Sequence, residues 1–174
     1  MSKVLDYKHS ATEIDFSKAS VSSIGEKNDC SVRAIATAVG VTYDAAHEYM
    51  RDVLGRKNRK GAKNMPIKLK DITSHDNPVQ TAGDVNFKYK SIPAPKLCNE
   101  YKLHGEVVRR KKTVKSFIDS FRKGTFLVFV SNHVFTVKDG VLIDNYGEEF
   151  RPTRKVLNAF EVNVVPNEVQ LELF

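Results

Sequence analysis

Cysteine is scarce in this chain, which contains only Cys30 and Cys98 among its 174 residues. Two cysteines are too few for the disulfide framework that holds small secreted domains together. Neither cysteine lies in a CxxC pair, so the sequence gives no indication of a thiolate metal site, and we predict neither a metal nor a cofactor. Because free cysteines are commonly buried, we expect Cys98 to be a small apolar side chain in the core.

Long apolar runs are also missing. No stretch of about 18 apolar residues predicts a membrane span, and no charged and then apolar leader predicts secretion. We therefore expect no interaction with a membrane and a cytoplasmic location. The hydrophobic fraction of 41% is still sufficient for a core of ordinary size, and the length suits a single domain over residues 1–174.

Positive charge is in excess, with a formal net charge of +7. Much of this excess lies in two stretches, Arg51–Lys70 and Arg109–Lys112. Such stretches bind nucleic acid or an acidic protein surface through long-range attraction in some proteins, but in most they are solvated loops. No aromatic platform or recognisable nucleic-acid module accompanies them, so both interpretations stay open.

The stretch around Cys30 predicts a helix that begins with a thiol. Apolar residues recur at helical spacing from Cys30 to Val39, and Gly40 follows where a C-cap glycine belongs. We predict a helix over 29–39, capped by Asn28 or Asp29. The partial positive charge at a helix N-terminus favours the thiolate, which makes Cys30 the candidate nucleophile.

The remaining pattern predicts an α+β fold, although the helix and strand signals are weak in the middle third of the chain. Residues 1–25 are interpreted as an N-terminal arm and residues 56–112 as a basic variable insertion. Further helices are expected over 42–54 and 113–122, with a helical turn over 65–72. Strands are expected over 87–92, 125–130, 133–137, 141–144 and 159–165.

The Asp139-Gly140 dipeptide is a strong signal for a two-residue hairpin turn. Counting outward from that turn pairs Lys138 with Val141 and Phe135 with Asp144, and directly opposed residues share a sheet face. His133 and Asp144 are then diagonal neighbours on one face, whereas Asn145 projects to the other face. A three-residue loop would reverse this assignment.

These residue types suit thiol chemistry. A nearby imidazole can take the proton of a thiol, and a carboxylate can hold that imidazole in the required tautomer. Cys30, His133 and Asp144 are therefore the candidate nucleophile, base and orienting acid. The backbone N–H of Cys30 can donate to an oxyanion, and Asn28 either donates a second hydrogen bond or simply caps the helix. The other histidines have no comparable combination of an apolar strand and a nearby acid: His9, His47, His75 and His104.

Two blocks of this sequence resemble the papain-like cysteine peptidase superfamily in its small bacterial and bacteriophage forms. Residues 28–36 are similar to its nucleophile helix and to the Asp-x-Asn-Cys-x-x-Arg-Ala signature of ovarian-tumour-type deubiquitinases, with Asn and Asp displaced. Residues 124–144 are similar to the glycine, strand, histidine, strand, Asp-Gly, strand, aspartate block of bacteriocin-processing members. The glutamine that papain-like enzymes usually carry ahead of the cysteine is absent from residues 22–26.

The resemblance implies an N-terminal nucleophile helix packed on a C-terminal antiparallel sheet. It implies that Cys30 is the nucleophile, that His133 is the general base and then acid, and that Asp144 orients it. The expected function is hydrolysis of a peptide or isopeptide bond in a protein, in the host cytoplasm if the chain is encoded by a phage. Two alternatives remain: a catalytically silent protein on the same scaffold that binds a host factor through its basic surface, and a structural protein associated with nucleic acid.

Overall fold

A computed structural model of the chain describes residues 26–144 and 153–166. Within these ranges the fold is α+β, as expected, with four α-helices and an antiparallel sheet. The N-terminal arm over residues 1–25 lies outside the described residues, as do Asn145 and Tyr146 of the predicted hairpin face. No helix in the described part of the chain is long and apolar enough to cross a membrane.

Local signals in the sequence account for the ends of most helices. Gly40 ends the first helix in the left-handed backbone conformation, at φ 81°. A residue with a Cβ atom would adopt this conformation less easily. Thr42 caps the second helix by accepting a hydrogen bond from the Ala45 N–H, and Thr113 caps the fourth in the same way. The fourth helix ends at Ser120, two residues before the predicted end. The helices are α1 (Cys30–Val39), α2 (Tyr43–Asp52), α3 (Met65–Ser74) and α4 (Val114–Ser120).

Eight strands form two antiparallel sheets among the described residues. Six of them make the main sheet in the order β1-β2-β8-β5-β6-β7, and β3 and β4 form a separate hairpin. The turn at Asp139-Gly140 has the predicted two residues, with Lys138 opposite Val141 and Val137 opposite Leu142. The strands are β1 (Gln80–Ala82), β2 (Val85–Ser91), β3 (Cys98–Leu103), β4 (Glu106–Lys111), β5 (Thr125–Val130), β6 (His133–Lys138), β7 (Val141–Ile143) and β8 (Asn158–Val165).

The main sheet is buried on both faces because helices cover both sides. On one face α1 packs with Leu127 and Phe160, and on the other face α4 packs with Phe135 and Val137. This explains why β5 is apolar at nearly every position instead of alternating. Burial on both sides holds the strands that carry the candidate site in a rigid frame.

The segment over 56–112 forms part of this frame. It contains α3 and the first four strands, and β2 pairs with β8 inside the main sheet. Phe87 and Tyr89 of β2 are completely buried, and the Tyr89 hydroxyl lies 2.8 Å from the Tyr49 hydroxyl. The role of this segment as a variable insertion stays a prediction, but its strand β2 belongs to the core.

Candidate active site

Cys30 is the first residue of α1 and is partly exposed. Asp29 occupies the N-cap position, but the prediction that a side chain caps this helix is wrong. The Asp29 carboxylate instead accepts hydrogen bonds from Arg33 Nε at 2.9 Å and from the Tyr43 hydroxyl at 2.8 Å. Burial and the neighbouring Asp29 raise the pKa of Tyr43 far above its ordinary value, which keeps this hydroxyl a donor.

His133 and Asp144 make the contact that the register count predicts. His133 Nε2 lies 2.7 Å from Asp144 Oδ2, and the side chains are only 4% and 8% exposed. The contact follows from the turn, because pairing through Thr136 and Ile143 brings the next residue of the chain, Asp144, beside the start of β6. A carboxylate in this position holds the ring orientation of the imidazole.

A single buried hydrogen bond sets the position of α1 along β6. Thr136 Oγ1 donates to the Ala34 carbonyl at 2.8 Å, and Thr136 is completely buried. Cys30 precedes Ala34 by about 6 Å along the helix, and His133 precedes Thr136 by about 10 Å along the strand. The bond lies about one helical turn from Cys30 and three residues from His133, and both of these residues line one cleft.

His133 hydrogen-bonds to Asp144, and Cys30 is close enough to act on the pKa of the imidazole. Because Nε2 faces Asp144, Nδ1 is the nitrogen left for the thiol. Burial on its own lowers the pKa of His133, but hydrogen bonds and charge interactions with Asp144 and Cys30 raise it to about 9. At neutral pH the imidazole is thus protonated, with one N–H for the carboxylate and one for the sulfur.

These three residues open onto a cleft with a volume of about 980 Å³. One wall is the start of α1, and a second wall is the loop before α3, with Lys60 and Lys63. The third wall is apolar and includes Phe129 and Leu157. The cleft is large enough for several residues of an extended peptide.

Asn28 lies in the left-handed region at φ 52° and lines the same cleft. Its side-chain amide donates a hydrogen bond to the Arg59 carbonyl at 3.2 Å. A side-chain amide has two N–H donors, so this bond uses one of them. The role of Asn28 as an oxyanion donor stays a prediction.

Glu26 anchors the segment that leads into Cys30, and nothing in the sequence pattern singles it out. Its carboxylate lies 3.0 Å from Arg56 Nη2, 2.9 Å from His47 Nε2 and 2.6 Å from the Arg59 N–H. Burial raises the pKa of Glu26, but these hydrogen bonds outweigh burial and lower the pKa to about 2. The side chains of Glu26 and Arg56 are 4% and 1% exposed, so this is a buried ion pair. His47 has a structural partner here, in keeping with its exclusion as a catalytic candidate.

The basic stretches lie in different surroundings. Arg56 is buried, whereas Arg51 pairs with Asp52 on the surface. In the hairpin of β3 and β4, Arg109 pairs with Glu100 at 3.0 Å. Binding of an acidic protein or nucleic acid by these stretches stays a prediction.

Cys98 does not lie in the core, where we expected it. It is partly exposed at the start of β3, so the expectation of a core cysteine is wrong. Cys98 starts a two-stranded hairpin that is not covered on both faces, unlike the main sheet. In the described ranges, no group of three or more histidine, cysteine or acidic side chains is arranged to hold a metal ion.

Comparison with known proteins finds no matching family model, no matching curated protein and no matching solved structure.

Proposed function

We propose that this protein is a papain-like thiol hydrolase that cleaves a peptide or isopeptide bond in a protein substrate. The observation that carries the proposal is His133, which hydrogen-bonds to Asp144, lines the same cleft as Cys30 and has a pKa that these two residues raise to about 9. When the imidazole has taken the thiol proton, the imidazolium is held by the carboxylate and faces a thiolate, which is the ion pair from which the sulfur attacks. The packing of α1 against the antiparallel sheet supports the finer, papain-like assignment of the fold.

The chemistry begins with attack of Cys30 Sγ on the carbonyl carbon of the substrate. The resulting oxyanion accepts a hydrogen bond from the Cys30 N–H and, in this proposal, from Asn28. His133 Nδ1 then gives its proton to the leaving amine as the carbon–nitrogen bond breaks, which leaves a thioester on Cys30. Water attacks the thioester, His133 takes a proton from that water, and the acid product leaves with the thiolate restored.

The first experiment is labelling with a small neutral electrophile such as iodoacetamide, followed by peptide mass mapping. Both cysteines are partly exposed, so exposure alone predicts similar labelling of Cys30 and Cys98. The proposed ion pair predicts that Cys30 reacts faster by about tenfold or more at pH 6, where an ordinary thiol is almost entirely protonated. His133→Ala should remove this preference, and Cys98→Ala should leave it unchanged.

The second experiment tests hydrolysis itself. Wild-type protein and the Cys30→Ala variant are incubated with a proteome-derived peptide mixture, and new peptide ends are identified by mass spectrometry. New ends that depend on Cys30 support the proposal. Equal labelling of both cysteines that does not change in a folded His133→Ala variant contradicts it.

A second candidate is the catalytically silent binding protein, and it is favoured by the hairpin of β3 and β4. Tyr101 and Leu103 on one face of this hairpin and Val107 on the other are each more than 50% exposed. They lie among Lys102, Arg110 and Lys111, which no described acidic residue pairs with. Apolar surface beside positive charge suits an acidic protein partner. If labelling shows no reactive Cys30, this candidate is the better supported of the two.

A further inference from the structure

One part of the cleft lining carries two lysine charges that no residue in ranges 26–144 and 153–166 neutralises. Lys60 and Lys63 are exposed and line the cleft together with Cys30 and His133. Across the described residues, neither ammonium group forms an ion pair or a side-chain hydrogen bond. They therefore differ from the other charged groups of the site, which are matched internally.

The acidic groups that line the cleft are already occupied. Asp29 accepts hydrogen bonds from Arg33 and Tyr43, and Asp144 contacts His133. Neither carboxylate is therefore available as a counter-ion for the lysines. Among the described residues no other carboxylate lines the cleft, so we expect a carboxylate of the ligand to supply the compensating charge.

The loop that carries the lysines is attached to the residues before the nucleophile. The Arg59 N–H donates to Glu26 at 2.6 Å, and the Arg59 carbonyl accepts from Asn28 at 3.2 Å. Lys60 follows Arg59 directly, and Asn28 precedes Cys30 by only two residues. The backbone that leads into Lys60 is thus attached to the segment that leads into Cys30, so we expect little ordering of the loop when a ligand binds.

Another part of the cleft lining has a different chemistry. Phe129 and Leu157 form an apolar surface, and Leu157 is 41% exposed although its N–H is bonded to the Phe129 carbonyl. An exposed leucine beside a concave site offers contact to an apolar side chain of a ligand. The two walls therefore favour a ligand with an acidic group on one side and an apolar group on the other.

We propose that the substrate class is an acidic peptide segment, with an aspartate or glutamate near the cleaved bond held by Lys60 and Lys63 and an apolar residue held against Leu157. This inference rests on the proposed function for the cleavage step, but the recognition of the carboxylate does not depend on catalysis.

The test uses peptidyl vinyl sulfone probes of otherwise mixed composition that carry glutamate, glutamine or lysine at one fixed position. The fixed position is moved through the three residues nearest the electrophile, and the rate of Cys30 modification is measured. With wild-type protein we expect glutamate to be preferred over glutamine by about fivefold at one or more positions, since two partly exposed charge pairs each contribute modestly. Raising the ionic strength should reduce this preference.

The matched variants are the double change Lys60→Glu with Lys63→Glu, and Lys57→Glu as the control. Lys57 is exposed in the same loop but does not line the cleft. The double variant should prefer lysine probes over glutamate probes, whereas the control variant should behave like the wild type. An unchanged glutamate preference in the double variant, or the absence of any preference in the wild type, overturns the inference.

Two further experiments distinguish a failure of the inference about the lysines from a failure of the proposed function. Iodoacetamide labelling of Cys30 in the double variant reports the proposed function independently, because that reagent carries no charge. If Cys30 proves unreactive, binding of fluorescent glutamate and glutamine peptides to the Cys30→Ala variant tests the lysine pair alone. Peptides with an amidated or a free carboxyl terminus distinguish a side-chain carboxylate from a chain terminus, and binding that requires the free terminus contradicts the side-chain assignment.

Discussion

Replacing Asp144 with asparagine should lower the pKa of His133 by about one to two units, and this is the sharpest test of the site electrostatics. The side chain keeps its size and an oxygen that can accept a hydrogen bond, but it loses its negative charge. In the wild type the pKa of His133 rises from an ordinary 6.5 to about 9. Burial opposes this rise, so the net difference of about 3 kcal/mol is smaller than the combined favourable contributions of Asp144 and Cys30.

The assay is a proton NMR titration of the histidine ring signals between about pH 5 and pH 10. The chain has five histidines, and the His133 signal is assigned by its loss in a His133→Gln variant. Asp71→Asn is the matched control, because Asp71 and His75 form an exposed pair at 3.2 Å on α3. That control should leave the titration of His133 unchanged.

The same substitution has a predictable effect on stability. A folded-state pKa above the unfolded value stabilises the fold fully below about pH 6.5, and this contribution is lost as the pH rises through about 9. Urea unfolding should therefore show a larger loss of stability in Asp144→Asn at pH 6 than at pH 9. A wild-type His133 that titrates near 6.5, or one that does not respond to Asp144→Asn, would refute the electrostatic account of the site.

Two other predictions concern the framework of the site. Glu26→Gln should lower the free energy of unfolding by about 3 kcal/mol at pH 7, because the buried Arg56 loses its counter-ion. That loss should fade between about pH 4.5 and pH 2 as Glu26 becomes protonated in the wild type, which urea unfolding over this range would show. Thr136→Val should cost about 1 kcal/mol by removing the hydrogen bond to the Ala34 carbonyl, as measured by urea unfolding at pH 7. A loss below a few tenths of a kcal/mol would show that this bond does not fix α1 on the sheet.

Local sequence signals predicted the half of the site that lies within one hairpin. The turn residues Asp139-Gly140 determine the register, and the register brings Asp144 to His133 without any information from distant parts of the chain. The start of α1 was predicted within one residue for the same reason, since helical spacing and Gly40 are local features.

Contacts between distant segments were not predictable in this way. The placement of Cys30 near His133 depends on the packing of α1 against the sheet, which includes the buried bond from Thr136 to Ala34 between residues 102 positions apart. Glu26 and Arg56 are 30 residues apart and belong to no periodic pattern, so no motif indicated their buried pair. The inclusion of β2 in the main sheet likewise depends on its pairing with β8, which only the tertiary structure reveals.

The central position of β8 has a consequence for the time at which the site can form. Residues 158–165 pair with β2 on one side and with β5 on the other, so they join the two halves of the main sheet. Phe160 and Val162 of β8 also complete the core beneath α1. A chain still on the ribosome after synthesis of Asp144 therefore contains every candidate catalytic residue but not the strand that unites their supports. The cleft can assemble only after β8 has left the ribosome, which delays any thiol chemistry until synthesis of the sheet is finished.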